Sequence, residues 1–359
     1  MMTVVRYDSI RAAEQCLREA GGNGSASQTY EVLRAVERGF WRCLVYLALR
    51  HFAYALSCAF GTRRPFRVYA VCDGKGVVLC APLHLGADGV WSVVAGDFVE
   101  LDFVDFLYAR RGLPELAKAF AAVMQRMRAD GICSVTWRYL ETGGVTSELL
   151  KCQPHETTET FANVRVSFAG GAERFDATLP RNARSVERLA RNRLRREGRS
   201  VSFSFRSSAG LGEGLSGREP RRLLRECRRV YLGRQKRRYG HGGWLARLFF
   251  MHGCYISLSV PGGSSFVAVL RVDGRVAAYM EGYVNMARAA LEVPRIAIDD
   301  RFARYSPGRL LIAEAARWLC ANSRLRCIDL CRGDERYKLD LGGTLYETAT
   351  VRVGTGGAK

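Results

Sequence analysis

The sequence predicts an α/β protein of two domains in which one hairpin pattern recurs, which fits either two copies of one unit or two unrelated hairpins. Its 359 residues suit two domains at roughly 100–200 residues each. Apolar runs of period two alternate with runs of period 3.6, the pattern of strands interleaved with helices. Two distant segments also match: Arg67–Val78 reads RVYAVCDGKGVV and Val267–Ala278 reads VAVLRVDGRVAA. Each is an apolar strand, an Asp-Gly turn and a second apolar strand, and Asp-Gly supplies the positive φ that a tight hairpin needs. With 48% hydrophobic and 25% charged residues, the chain can bury a core; disordered, collagen-like and mucin-like classes are excluded.

In the first half, Tyr30, Leu33, Val36, Phe40, Leu44 and Leu47 recur at three- and four-residue steps and predict a long helix over 28–59. Phe66–Cys72 and Gly76–Pro82 are the arms of the first hairpin. Val90–Ala95 reads as a strand, and Leu101–Leu107 as an apolar stretch carrying Asp102 and Asp105. Pro114–Asp130 is helical and stopped by Gly131, and Ile132–Tyr139 is again a strand. A shift in composition at 155–165, around Pro154 and the TTET run at 157–160, sets the join, giving domains 1–158 and 159–359.

In the second half, Pro180–Arg196 is an Arg-laden helix ended near Gly198, Val201–Arg206 a strand, and Ala209–Gly217 a Gly-rich loop. Arg218–Leu232 and Gly243–His252 are two more helices. Tyr255–Val260, Ser265–Val272, Arg275–Tyr283 and Leu291–Ala297 are strands. Tyr305–Gly308 opens a helix running to about Cys320, and the strands Cys327–Leu330 and Thr348–Val353 follow.

Charge separates the halves. Against 35 Asp+Glu stand 55 Lys+Arg, a net of +20. Residues 1–160 hold 18 basic and 17 acidic side chains, whereas 161–359 hold 37 and 18. One half is near neutral and the other suits an anionic partner. Only six of the basic residues are Lys, and the Arg fork suits phosphate and carboxylate. The excess peaks over 181–238, with 19 basic against 5 acidic residues. There Leu179, Ala183, Val186, Leu189, Ala190 and Leu194 form a stripe that docks a helix and turns its Arg outward. Such a surface fits nucleic acid, a cofactor phosphate or anionic lipid. The twelve Cys include no CxxC and the five His no HxxxH, so no metal site is expected and the thiols read as core residues in a reducing compartment. Phe40–Phe60 comes nearest to a membrane span, but Arg42, Arg50 and His51 interrupt it. The expectation is a cytoplasmic protein with no integral membrane segment.

Two segments could carry chemistry. Tyr305–Leu311 reads YSPGRLL at the entry to a helix. Ser306 can cap, Pro307 suits the first turn, Gly308 leaves the backbone bare, and free amides at the positive end of the dipole favour a phosphate. Arg304 and Arg309 add charge, although an ordinary capped helix would read the same way. Asp329–Lys338 reads DLCRGDERYK after a strand, and ligands collect at the carboxyl ends of strands. Asp334 is then a candidate base, Tyr337 a proton donor, and Arg332 and Lys338 partners for phosphate or carboxylate. A solvated turn with local ion pairs fits the same residues. Glu281, expected just past the strand Val276–Met280, could take a proton from an attacking amine. His241 between two glycines and the Asp102/Asp105 pair are weaker candidates.

In this order, LPRNARSVERLARNRL, the Asp-Gly hairpin, YSPGRLLIAEAARW and IDLCRGDERYK resemble the CelD (BcsL)-type acetyltransferase domain, named for cellulose biosynthesis, a branch of the GNAT superfamily. The resemblance covers about 165–345, and its most specific part pairs SPG-x-LL with RGDE-x-YK, about 25 residues apart. APLHL and VELDFVDFLY extend it less specifically into the first half. FemAB-type aminoacyltransferases share the doubled layout. The resemblance implies two tandem GNAT-like domains, each a mixed, mostly antiparallel sheet flanked by helices. It implies acyl transfer from acetyl-CoA or another acyl-CoA to a small-molecule or exopolysaccharide/cell-envelope precursor. Arg304 and Ser306–Leu310 would bind the cofactor, with backbone N–H groups on its pyrophosphate. SPGR stands where simple GNATs carry Gln/Arg-x-x-Gly-x-Gly/Ala. Two other readings remain at this point: a FemAB-like transferase fed by charged tRNA, and a non-catalytic member that binds polyanion.

Overall fold

A computed structural model describes residues 2–23, 30–42, 51–94, 105–151, 153–168, 172–215, 218–239, 265–286 and 288–355. The chain divides into two compact units, Met1–Phe161 with Glu347–Lys359, and Ala162–Tyr346. The second unit therefore stops short of the expected 159–359. Residues from Thr348 to Gly354 pair antiparallel with a strand of the first unit.

The first unit holds strands β1 (Thr3–Tyr7), β2 (Phe66–Asp73), β3 (Gly76–Leu85), β4 (Trp91–Val93), β5 (Leu107–Tyr108) and β6 (Ser134–Glu141). Its helices are α1 (Glu14–Asn23), α2 (Tyr30–Arg42), α3 (Phe52–Ala59), α4 (Leu113–Ala129) and α5 (Val145–Leu150). Strand β7 (His155–Ser167) begins in this unit and ends in the second. There follow α6 (Ala172–Thr178), α7 (Arg181–Arg196), β8 (Val201–Ser207), β9 (Glu213–Gly214), α8 (Arg218–Tyr239), β10 (Ser265–Val272), β11 (Arg275–Asn285) and β12 (Ala290–Ile298). A 3-10 turn (Asp300–Tyr305), α9 (Pro307–Asn322), β13 (Cys327–Arg332) and α10 (Arg336–Asp340) precede β14 (Thr344–Gly354), which returns to the first unit.

Each unit has a mixed sheet flanked by helices. In the first, the order is β1-β2-β3-β4-β6 followed by the end of β14, antiparallel except for β4/β6. In the second, it is β9-β8-β10-β11-β12-β13 followed by the end of β7, antiparallel except for β8/β9 and β12/β13. The repeated hairpins are present in both. Each also carries one extra residue on the arm after the turn, Val78 opposite Val71/Cys72 and Ala277 opposite Leu270/Arg271.

The second unit explains its own apolar runs. Phe266, Ala268 and Leu270 face α7 and α9, whereas Val267 and Val269 face Leu223, Cys227 and Tyr231 of α8. Both faces are covered, so β10 reads as a continuous apolar stretch rather than an alternating one. On α7, Ala183, Ala190 and Leu194 keep the buried stripe, but Leu189 turns outward at 62% exposure. In the first unit, α4 lays Leu116, Phe120, Val123 and Met127 over Trp137 and Val135.

The long helix expected over 28–59 is helical at Tyr30–Arg42 and Phe52–Ala59, and 43–50 lie outside the described residues. The expected helix at 243–252 and strand at 255–260, with His241 and Asp102, also lie outside them.

Candidate active site

The carboxyl ends of β12 and β13 are the centre of the second unit's geometry. These strands pair in parallel from Ala290↔Cys327 through Glu292↔Asp329. Just beyond, both are bulged. On β12, Tyr283 opposes Glu292 while Glu281 opposes Arg295, which leaves one extra residue at Val293–Pro294. On β13, Arg165 opposes Asp329 while Asn163 opposes Arg332, which leaves another at Leu330–Cys331. A bulge bends and re-aims its strand, and Pro at a bulge has no N–H to lose from the ladder. Gly282 makes the first bulge possible: a Cβ there would overlap the Glu292 carbonyl oxygen and sit 2.6 Å from Pro294 Cδ. Cys331 pays for the second with a left-handed φ of 55°, and its N–H donates to Asp329 Oδ1 at 3.0 Å.

Beyond β12, Asp299 caps the 3-10 turn by accepting from Arg301 N at 3.1 Å. Ser306 is left-handed (φ 49°, ψ 49°), and Pro307 starts α9. The Ser306 amide donates to Ala303 O, and the Leu310 amide to Ser306 O at 3.2 Å. Helix geometry then leaves the amides of Gly308 and Arg309 without an intrahelical acceptor, at the positive end of the dipole. Several expectations change here. Ser306 does not cap through its side chain. The bare face of Gly308 is turned toward β12, because a Cβ would lie 3.2 Å from Ile298 Cγ2; the glycine lets the helix start press on the strand. Leu310 is buried in the core and its amide is spent, so it offers a ligand nothing. Arg304 is held by Glu197 at the end of α7 and by Tyr305 Oη at 2.7 Å. Arg309 reaches Asp340 of α10 at 2.7 Å.

On the turn after β13, Asp334 and Arg332 are exposed. Tyr337 packs against the core, and burial pushes its phenol up to about 12, so it keeps its proton at neutral pH. Lys338, expected to meet substrate, is 3% exposed. Its Nζ donates to the carbonyls of Arg332 (2.7 Å), Gly333 (3.0 Å) and Cys331 (3.4 Å) and pairs with Glu335 at 2.8 Å. The bulged strand end turns these carbonyls one way, and the ammonium satisfies them. Glu281 is not past the end of a strand, because β11 runs on to Asn285. It is buried and pairs with Arg295 at 2.5 Å across the register, and the Arg295 guanidinium lies 4.9 Å above the Tyr231 ring. Accepting a proton there would break a buried ion pair.

A network that the sequence reading passed over lies where the strands part. Asp329 is fully buried and accepts from Tyr346 Oη at 2.8 and 2.7 Å and from Arg165 Nε at 3.2 Å. Glu292 accepts from Asn285 Nδ2 at 2.9 Å and pairs with Arg288 at 3.0 Å; Arg288 also lies 3.7 Å from Asp329. Burial pushes the Glu292 carboxyl up to about 7 and raises that of Asp329 as well. A carboxyl balanced near neutrality is suited to giving or taking a proton. The available signal was a charge inside each apolar run, in LEV and in IDLC.

In the first unit, Asp105 accepts from Thr146 Oγ1 and from Phe106 N, and burial pushes it up to about 7. Among the described residues, no group of three or more His, Cys, Asp and Glu could hold a metal, and no helix is long and apolar enough to cross a membrane.

Residues 181–339 match the family model described as an acetyltransferase (GNAT) domain. No curated protein matches the chain. Among solved structures, the C-terminal domain (DUF2156) of a candidate lysylphosphatidylglycerol synthetase from Agrobacterium fabrum is 12% identical, with TM-score 0.55 over 97% of this chain and 93% of that one. FemX is 10% identical, with TM-score 0.53 over 79% of this chain and 87% of that one. A tandem GNAT protein from the clavulanic acid biosynthesis pathway is 12% identical and aligns over 100% of both chains at TM-score 0.48. The matched acetyltransferase (GNAT) domain thus lies inside the second of the two units, Ala162–Tyr346.

Proposed function

We propose that this chain is a GNAT-type acyltransferase of the cytoplasm, moving an acyl group from acetyl-CoA or another acyl-CoA to an amine or hydroxyl. The resemblance of 165–345 to CelD (BcsL)-type domains favours a small-molecule or exopolysaccharide/cell-envelope precursor as acceptor. One observation carries the reading. The Arg309–Asp340 ion pair at 2.7 Å ties the start of α9 to the helix after β13, so both candidate segments meet at the carboxyl ends of two parallel strands that part beyond Glu292 and Asp329.

Acyl-CoA would supply the acyl group as an activated thioester. The Gly308 and Arg309 amides would hold its diphosphate, as helix starts hold phosphates. Tyr337 keeps its proton at neutral pH and serves as donor. Glu292 can exchange a proton near neutrality, whereas Glu281 is committed to Arg295. Asp334 is an exposed carboxylate of the turn, and Arg332 an exposed cation for an acceptor. Calorimetry with acetyl-CoA and longer acyl-CoAs tests this. Arg309→Glu should weaken binding at least about tenfold, or about 1.4 kcal/mol. If the parent chain binds no acyl-CoA, the proposal fails.

The exposed Arg181, Arg184, Arg188 and Arg195 on α7 favour a second reading, aminoacyl transfer from charged tRNA. A gel shift with tRNA would show submicromolar affinity and a steep salt slope if that reading holds. Unchanged function after joint replacement of Asp334, Tyr337 and Glu281 would favour a non-catalytic, polyanion-binding role.

A further inference from the structure

We infer that the second unit carries a separate anion site, which takes a small molecule bearing two or more phosphoryl groups. A cavity of about 880 Å³ lies between α8, the hairpin turn after β10 and the end of β12, with Arg222, Arg229, Gly233, Arg275 and Arg301 on its wall. Packing sets this arrangement. Leu223, Cys227 and Tyr231 dock α8 on Val267, Val276, Tyr279 and Ala297. Positions 222, 226, 229 and 233 form the adjoining helical stripe, at steps of four, three and four, and all four line the cavity. The end of β12 joins the same wall because Ala278 opposes Ile298 and the Asp299 amide donates to Ala277 O at 2.9 Å.

The cavity's own charges do not balance. Four arginines face two carboxylates, Glu226 and Asp299. Glu226 is engaged by Arg271 at 2.7 Å and by Arg222 at 3.4 Å, and Asp299 by Arg301 at 2.5 Å. Arg229 and Arg275 are exposed, and among the described residues neither has a partner. Guanidinium groups converging on a concavity raise the local concentration of anions, and their planar forks suit phosphoryl oxygens. The volume falls in the range of sites for small molecules, about 300–1,000 Å³, which leaves room for more than a single phosphate. None of the wall residues belongs to the start of α9 or to α10, so the inference stands apart from the acyl-transfer reading.

The test is calorimetry of the full chain with inorganic tripolyphosphate at low salt, with and without excess CoA. One anion per chain should bind in the presence of CoA. The Arg229→Ala/Arg275→Ala double variant should bind it at least tenfold more weakly, while Arg309→Glu binds as the parent does. Gly233→Glu gives an independent check: a Cβ at Gly233 meets nothing within 4 Å, so the fold accepts the change while a carboxylate enters the cavity, and affinity should fall. Full binding by the double variant overturns the inference. Displacement by CoA overturns it too, because the cavity would then belong to the coenzyme's own phosphates.

Discussion

Replacing Glu292 by Gln keeps nearly the same shape and removes a titrating group from the point where β12 and β13 part. In the folded chain, burial pushes this carboxyl from its ordinary 4.5 up to about 7. In the unfolded chain it titrates near the ordinary value. As pH rises between the two, the unfolded state gives up its proton first, so stability present below about pH 4.5 is lost by about pH 7. At about 1.4 kcal/mol for each tenfold change in proton affinity, the gap amounts to about 3 kcal/mol. The Gln variant does not titrate there, and its side chain can still accept from Asn285 and Arg288. Its stability relative to the parent should therefore climb by about 3 kcal/mol between pH 4.5 and 7.5 and stay level outside that window. Urea unfolding of both proteins across this range gives the difference directly. A difference that is the same at pH 5 and pH 8 refutes the reasoning. A fall instead of a climb would mean that Arg288 holds Glu292 ionised.

Other consequences follow from the same geometry. Tyr346→Phe removes the hydroxyl shared by both Asp329 oxygens and should cost about 1–3 kcal/mol by chemical denaturation; an unchanged midpoint would show that Arg165 and the Cys331 amide satisfy the carboxylate without it. Lys338→Met strips the donor from three carbonyls, so amide exchange over 331–338 should accelerate at least tenfold, and parental protection would contradict the assignment. Gly308→Ala should destabilise by about 1 kcal/mol through its contact with Ile298. Combined with Ile298→Ala, it should cost less than the sum of the single changes; strict additivity would place the two residues out of contact.

Much of the fold was legible where one residue type dictates backbone. Asp273-Gly274 turns its hairpin on two positive φ angles, while Asp73-Gly74 marks a turn made by Gly74-Lys75, with the positive φ on Gly76. Ser306-Pro307 marks a helix start for a similar reason, although Ser306 contributes by its left-handed backbone rather than by a cap. Strand β7 was read as a join because its first half, HETTETF, is polar and almost wholly exposed, which leaves no period-two apolar signal. The site was harder to see. Glu292 and Asp329 become neighbours only through parallel register, and nothing local encodes that pairing. Lys338 was expected to face outward, as most Lys do; the carbonyls that draw it inward exist only once β13 is bulged. Glu281 was expected past Met280, yet it lies inside β11, which runs on to Asn285.

The crossing of β7 and β14 from unit to unit has a consequence for how the molecule is made. Residues 163–167 finish the sheet of the second unit, and residues 348–354 finish that of the first. On the ribosome, the second unit has all its residues once Tyr346 has emerged, while the first still waits for the strand that follows. Completion thus reverses the order of synthesis, and the nascent protein keeps a raw β6 edge, of the kind that invites aggregation, until Gly354 is in place. A cut at 161/162 would strip the first unit of its last strand, whereas the piece that follows keeps every residue of the second.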